Sequence, residues 1–185
     1  MDPLFTNAPL YLETVVNEQQ YANGLLSDIT QDNQGFLWLA SQRGIARFDG
    51  YQFKQYRKNI SNPNSIISDI AIKLFIDVHH HIWVSTIHGL AIFDPKTERF
   101  TNYEYGAKNH NLTASFVSSF AEDQQEGVWL GTNKGLSYFD FSNQSFLPAP
   151  NSVKLPNALS SGKISDLKII SDGRLLIASS NGLWY

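Results

Sequence analysis

The chain contains no cysteine and, in 185 residues, a single methionine. Without thiols it can have no disulfide framework, no thiolate zinc site, no iron–sulfur cluster and no cysteine nucleophile. The same absence leaves the compartment open. Charge is scarce as well: charged residues make up 17% of the chain, below the roughly 25% of ordinary soluble domains. The net charge of -3 lacks the basic excess with which nucleic-acid binders neutralise phosphates. No run approaches the ~20 apolar residues of a spanning helix, and Met1-Asp2-Pro3-Leu4-Phe5 lacks the charged and apolar regions of a secretory signal. Neither a Gly-x-Ser-x-Gly nucleophile elbow nor a Gly-x-x-x-x-Gly-Lys-Ser/Thr phosphate loop occurs. What the chain has in quantity is aromatic side chains, 13%, a composition suited to strands rather than to solvated helices.

Those aromatics fall in a repeat. Trp38, Trp83 and Trp129 each have an aspartate six residues before them (Asp32, Asp77, Asp123) and a glycine six residues after (Gly44, Gly89, Gly135). Phe-Asp pairs follow at Phe48-Asp49, Phe93-Asp94 and Phe139-Asp140. A fourth copy has Leu176 in place of tryptophan, then Gly182, so successive glycines stand 45, 46 and 47 residues apart. Trp184 falls after its glycine, out of register with the other three, and is expected to play a different part. Such a period fits helical-pair solenoids or four-stranded propeller blades.

Local patterning selects the blades. In the first unit four short strands are expected, 28–32, 36–41, 44–49 and 52–57, with connections of two or three residues and no capped helical stretch. The predicted fold is therefore all-β: a β-propeller of four-stranded antiparallel blades, about three complete and a partial fourth. The expected division is a lead-in over 1–23, blade 1 over 24–59, blade 2 over 60–106, blade 3 over 107–150 and an incomplete blade 4 over 151–185. Each indole should fill the wedge between neighbouring blades. Each aspartate should accept turn amides, and each glycine should take a left-handed conformation in the hairpin. Two arrangements remain open: a piece of a longer propeller, or a small four-bladed ring whose last blade is completed by the strand-like run Pro9–Val16.

The units resemble the two-component regulator propeller repeat, Asp-x-x-Gly-x-Leu-Trp-Ile-Gly-Thr-x-x-Gly-Leu-x-x-Phe/Tyr-Asp, which residues 32–49 follow closely. The second copy departs at His80, where the family has glycine; the third has Glu126 there, and the fourth lacks the tryptophan and reads one residue shorter in its first hairpin. The resemblance implies the periplasmic sensor region of an inner-membrane bacterial signalling protein, without catalysis of its own. A histidine kinase or diguanylate cyclase would follow a transmembrane segment, with the signal sequence trimmed away. It also implies a small-molecule or oligosaccharide ligand, contacts with the remainder of the propeller, and a homodimer as a further partner state. No cofactor and no nucleic acid are implied. A propeller lyase or hydrolase acting on polysaccharides, or a protein-binding scaffold, are the alternatives.

Two groups of residues are candidate sites. The residue before each repeat glycine, Arg43, His88, Lys134 and Asn181, should ring one end of the propeller beside Gln42, Ile87, Asn133 and Ser180, making a partly basic face for a ligand or partner. Hairpin turns are polar in any case. The run His79-His80-His81 should lie at the opposite end. Successive residues of an extended chain point to alternate sides, which disfavours one shared metal. Calorimetric titration with zinc or nickel is accordingly expected to show no saturable binding, and saturable one-to-one uptake would overturn this reading.

Overall fold

The computed structural model describes residues 24–106, 112, 114, 116–123, 127–147 and 155–185, so the run 9–16 lies outside the described residues. Blade 1 comprises β1 (Leu26–Gln31), β2 (Leu37–Ser41), β3 (Gly44–Phe48) and β4 (Phe53–Tyr56). Blade 2 comprises β5 (Ala71–Ile76), β6 (Ile82–Thr86), β7 (Gly89–Asp94) and β8 (Arg99–Glu104). Blade 3 comprises β9 (Val117–Asp123), β10 (Gly127–Thr132), β11 (Gly135–Asp140) and β12 (Ser145–Leu147). Blade 4 has three strands, β13 (Ile164–Ile169), β14 (Leu175–Ser179) and β15 (Gly182–Trp184). Every sheet is an antiparallel meander in chain order, and neighbouring blades meet through their first strands.

In blades 1 to 3 the second and third strands are buried almost throughout, as in β6 and β11, whereas β14 and β15 of blade 4 are partly exposed. The third strands therefore do not alternate as one-sided strands would; a blade is covered on both faces by its neighbours. Three apolar clusters fill the seams. Trp38 is fully buried and its ring lies 5.3 Å from that of Phe93 in the next blade. Trp83 meets Phe139 edge-on at 5.1 Å, and Trp129 packs with Leu159, Ile164, Leu167 and Ile177 of the following segment. Trp184, out of register in sequence, instead joins the margin of this last cluster and donates Nε1–H to Ser179 Oγ at 3.1 Å.

Each first strand carries a register shift near its start, passing over Ser27, Ile72, Ser118 and Ser165. These bulges present the preceding carbonyl to the neighbouring blade. Ser27 donates to Ala71 O at 2.8 Å, Ser85 to Val117 O at 2.8 Å and Ser118 to Ile164 O at 2.7 Å. Ile72 has no hydroxyl, and Ser85 on the adjacent strand supplies the bond instead.

A short helix, α1 (Asn157–Ser161), departs from the helix-free expectation. One turn is too short to leave a periodic signal. Among the described residues β12 pairs with Tyr138, Phe139 and Asp140 of β11, and the helix lays Leu159 against the start of that strand, beside Gly135 and Leu136. The fourth turn also differs from expectation: five residues, 170–174, separate β13 from β14, as 32–36 separate β1 from β2.

The hairpin glycines adopt the left-handed conformation expected of them, with φ of 92° at Gly44, 142° at Gly89, 108° at Gly135 and 119° at Gly182. At Gly89 a Cβ would also lie 2.2 Å from Tyr103 O, whereas at Gly173 (φ 85°) it would meet nothing within 4 Å. Gly173→Ala is therefore expected to cost about 1 kcal/mol for backbone conformation alone, and Gly89→Ala more than ~2 kcal/mol because the backbone must also shift. Urea denaturation of the two variants measures the difference, and equal costs would refute the close-approach argument.

Candidate functional site

The two ends of each blade are closed by different chemistry. At the hairpin between second and third strands, a hydroxyl in the last position of the second strand bonds across the turn. Ser41, Thr86, Thr132 and Ser179 donate to the carbonyls of Gly44, Gly89, Gly135 and Gly182 at 2.6–3.1 Å. The same oxygens accept the amides of Arg43, His88, Lys134 and Asn181 at 3.0–3.2 Å. Ile87 N, Asn133 N and Ser180 N bond Ile70 O, Phe116 O and Lys163 O just ahead of β5, β9 and β13, so these hairpins lie at the end where the first strands begin.

Arg43, His88, Lys134 and Asn181 thus occupy equivalent exposed turn positions at one end of their blades. Lys134 and Asn181 are held by contacts within the protein. Lys134 Nζ donates to Tyr105 Oη at 2.6 Å and sits 5.0 Å from its ring centre. Asn181 Nδ2 reaches Ala158 O of α1 at 3.2 Å. The shared position is legible in the repeat; the hydroxyl that fixes each turn was not singled out, although Ser or Thr three residues after each tryptophan position carries the signal.

The opposite end is organised by the aspartates. Asp32 Oδ1 accepts the amides of Gln34 and Phe36, both at 3.0 Å, while Oδ2 accepts Trp38 Nε1–H at 2.8 Å. Asp77 repeats this with His81 N and Trp83 Nε1, both at 2.8 Å. Asp123 accepts Gly127 N at 2.9 Å. The turn-amide role was expected; the indole bond was not, though the fixed six-residue spacing encodes it. In blade 4 both partners are replaced, by Ile170 and Leu176. Asp49, Asp94 and Asp140 close the following hairpins by accepting turn amides, and those bonds contribute to holding their carboxyls below 3.8 against the opposing pull of burial.

The histidines stand at this end. His81 Nδ1 is 3.1 Å from Asp77 Oδ2, whose side chain is wholly buried. The hydrogen bond to Asp77 holds the imidazole pKa above 6.5 against the opposing effect of burial. For Asp77, burial pushes the carboxyl up, but His81, Trp83 and the His81 amide together hold it below 3.8. Asp94 and Lys96 also act on His81, with opposite sign. His79 rests edge-on against Phe141 of blade 3 at 4.9 Å, and Glu122 of blade 3 accepts Val78 N at 3.0 Å. Among the described residues no three metal-ligating side chains come together.

Two clefts flank the histidine turn. One, of about 360 Å³, lies towards blade 3 and is walled by Trp83, Tyr103, Phe139 and Phe141. The other, of about 370 Å³, lies towards blade 1 and is lined by Asn33, Phe36, Arg47, His80 and Lys96 with Asp32 and Asp94. Neither was foreseen, because each is made by residues of two blades.

The His81–Asp77 pair gives a pH signature. The raised His81 pKa stabilises the fold fully below its unfolded value near 6.5 and loses this as pH rises through the higher folded value. The depressed Asp77 value acts above 3.8 and is lost as pH falls through the lower folded value. Wild type should therefore exceed His81→Asn in stability most between those limits, with the gap narrowing as pH rises through the raised His81 value. Urea midpoints across pH test this, and a pH-independent gap would refute it.

No curated protein sequence matches the chain. The family model for the two-component regulator propeller matches residues 111–134. The extracellular domain of the hybrid two-component system BT3049 from B. thetaiotaomicron is similar with a TM-score of 0.73 and 29% identity, covering 88% of this chain and 23% of that one. The extracellular domain of BT4673 from the same organism gives 0.50 at 17% identity, covering 88% and 32%. The WD40 propeller of Doa1 gives 0.60 at 18%, covering 85% and 49%. These last two likenesses concern the fold alone. The chain thus spans less than a quarter of the BT3049 domain, as the 23% coverage states.

Proposed function

We propose that this chain, which carries the two-component regulator propeller repeat, is part of the extracytoplasmic sensing propeller of a bacterial membrane-bound signalling protein. The observation that carries the reading is the likeness to the BT3049 extracellular domain over 88% of the chain, together with the family match. Among the described residues no helix is long and apolar enough to cross a membrane. The membrane anchor, and a histidine kinase or diguanylate cyclase output, belong in this reading to other parts of the parent protein. Ligand binding would act by rearranging the propeller or reorganising a dimer.

The repeated aspartates support a non-catalytic role. Asp32, Asp77, Asp49, Asp94 and Asp140 all accept structural donors, so none is an idle carboxylate awaiting a substrate. The face of Arg43, His88, Lys134 and Asn181 is proposed as the surface that meets an oligosaccharide ligand or a partner, since those side chains share one end of the arc and the turns beneath them are fixed by hydroxyl bonds.

Two measurements test this. In the full-length parent protein, a protease site placed in the exposed turn at Gly50 should be cleaved in spheroplasts; protection there would refute extracytoplasmic exposure. An ectodomain carrying Arg43→Ala with Lys134→Ala should bind its best oligosaccharide from a panel about tenfold or more weakly. Unchanged affinity would reject the face while leaving the sensing role to the rest of the propeller.

A further inference from the structure

We propose that the cleft between blades 1 and 2, at the end of the arc opposite the Arg43 face, binds a compact oxyanion group, a sulfate, phosphate or carboxylate, between Arg47, His80 and Lys96. The inference concerns this cleft alone and stands apart from the signalling role.

Three observations converge. First, two cations, Arg47 and Lys96, line the cleft beside Asp32 and Asp94, and among the described residues neither is paired with a carboxylate. Arg47 stacks its guanidinium on Phe36, 4.6 Å from the ring centre. Stacking orders the guanidinium while keeping its in-plane N–H fork for an anion's oxygens.

Second, the carboxylates nearby are occupied. Asp32 is held by Trp38 and two turn amides, and Asp94 by Lys96 N and Thr97 Oγ at 2.8 Å each. Glu98, which also feels Arg47, gives both oxygens to Lys54 at 2.5 and 2.7 Å. An anion entering the cleft therefore meets cations whose local acids are already engaged.

Third, the turn that carries His80 accepts backbone cost to place it. His80 has φ of 66°, the left-handed conformation that Gly35 (89°) and Gly173 (85°) supply in blades 1 and 4. A side chain there is less favourable than glycine, and strained positions of this kind cluster at functional sites. Its Nε2 stands 3.1 Å from Asn33 Nδ2 across the blade boundary. Because the amide nitrogen is a donor, the imidazole is assigned its proton on Nδ1, which leaves a donor for the ligand. Unpaired cations and free donors, beside carboxylates already held by neutral donors, suit an anion.

Calorimetric titration of the chain at low, constant ionic strength with inorganic sulfate, inorganic phosphate and malonate tests the proposal. At least one should bind saturably with a stoichiometry of one; preference for the tetrahedral ions or for malonate tells which group the site takes. Arg47→Ala and His80→Gly should each weaken binding about tenfold, whereas Lys168→Ala, which removes a charge elsewhere, should not. His80→Gly carries the decisive readout. It restores the residue the turn prefers, so its urea midpoint should equal or exceed that of wild type while anion binding weakens. No saturable binding of any of the three ions, or wild-type affinity in His80→Gly, would overturn the proposal.

Discussion

The bond on which blades 1 and 2 depend is that between an aspartate and the indole six residues beyond it. A tryptophan buried in a seam between two sheets must satisfy one N–H, and a donor left unpaired there costs about 1–3 kcal/mol. Asp32 and Asp77 meet that need with one carboxylate oxygen and close the first hairpin with the other. The turn therefore cannot move without freeing the indole, and the indole cannot move without opening the seam to Phe93 or Phe139 of the next blade. Local turn, blade and blade-to-blade contact become a single cooperative unit. Blade 4, which has Ile170 and Leu176 at the two positions, drops both partners together, as a donor–acceptor pair requires.

The other end of the blades is governed by hydroxyls. Ser41, Thr86, Thr132 and Ser179 pin the hairpins at that end, and bulged first strands there bond blade to blade through Ser27, Ser85 and Ser118. Both ends thus have rigid turns on which variable side chains can be displayed without disturbing the core. The ends differ in what they display. One shows a ring of equivalent positions, while the other, beneath the seams, has clefts in which two blades contribute opposite walls.

Much of the architecture was legible because a repeat reports the same structural demand several times. The period of 45 to 47 residues, the indole in the second strand and the glycine six residues on are enough to specify four-stranded blades and the conformation of Gly44, Gly89 and Gly135. The helix 157–161 escaped because a single turn, with Leu159 as its one buried residue, is too short to leave a periodic signal. The indole hydrogen bond escaped for a different reason: its spacing was visible, but an aspartate already explained by turn amides gave no cause to look for a second acceptor role.

Sequence alone determined the strand pattern, the number of units, the left-handed hairpin glycines and the equivalence of Arg43, His88, Lys134 and Asn181, since each is a property of spacing within one repeat. It also marked His80 as a departure from glycine. Only the tertiary structure decided what that departure faces. Arg47 and His80 are separated by most of a repeat in the chain, and nothing in their local patterns relates them. They share a cleft because blade 2 packs on blade 1 with Trp38 and Phe93 between them. A contact made between units is set by the packing of one sheet on another, which no single repeat encodes.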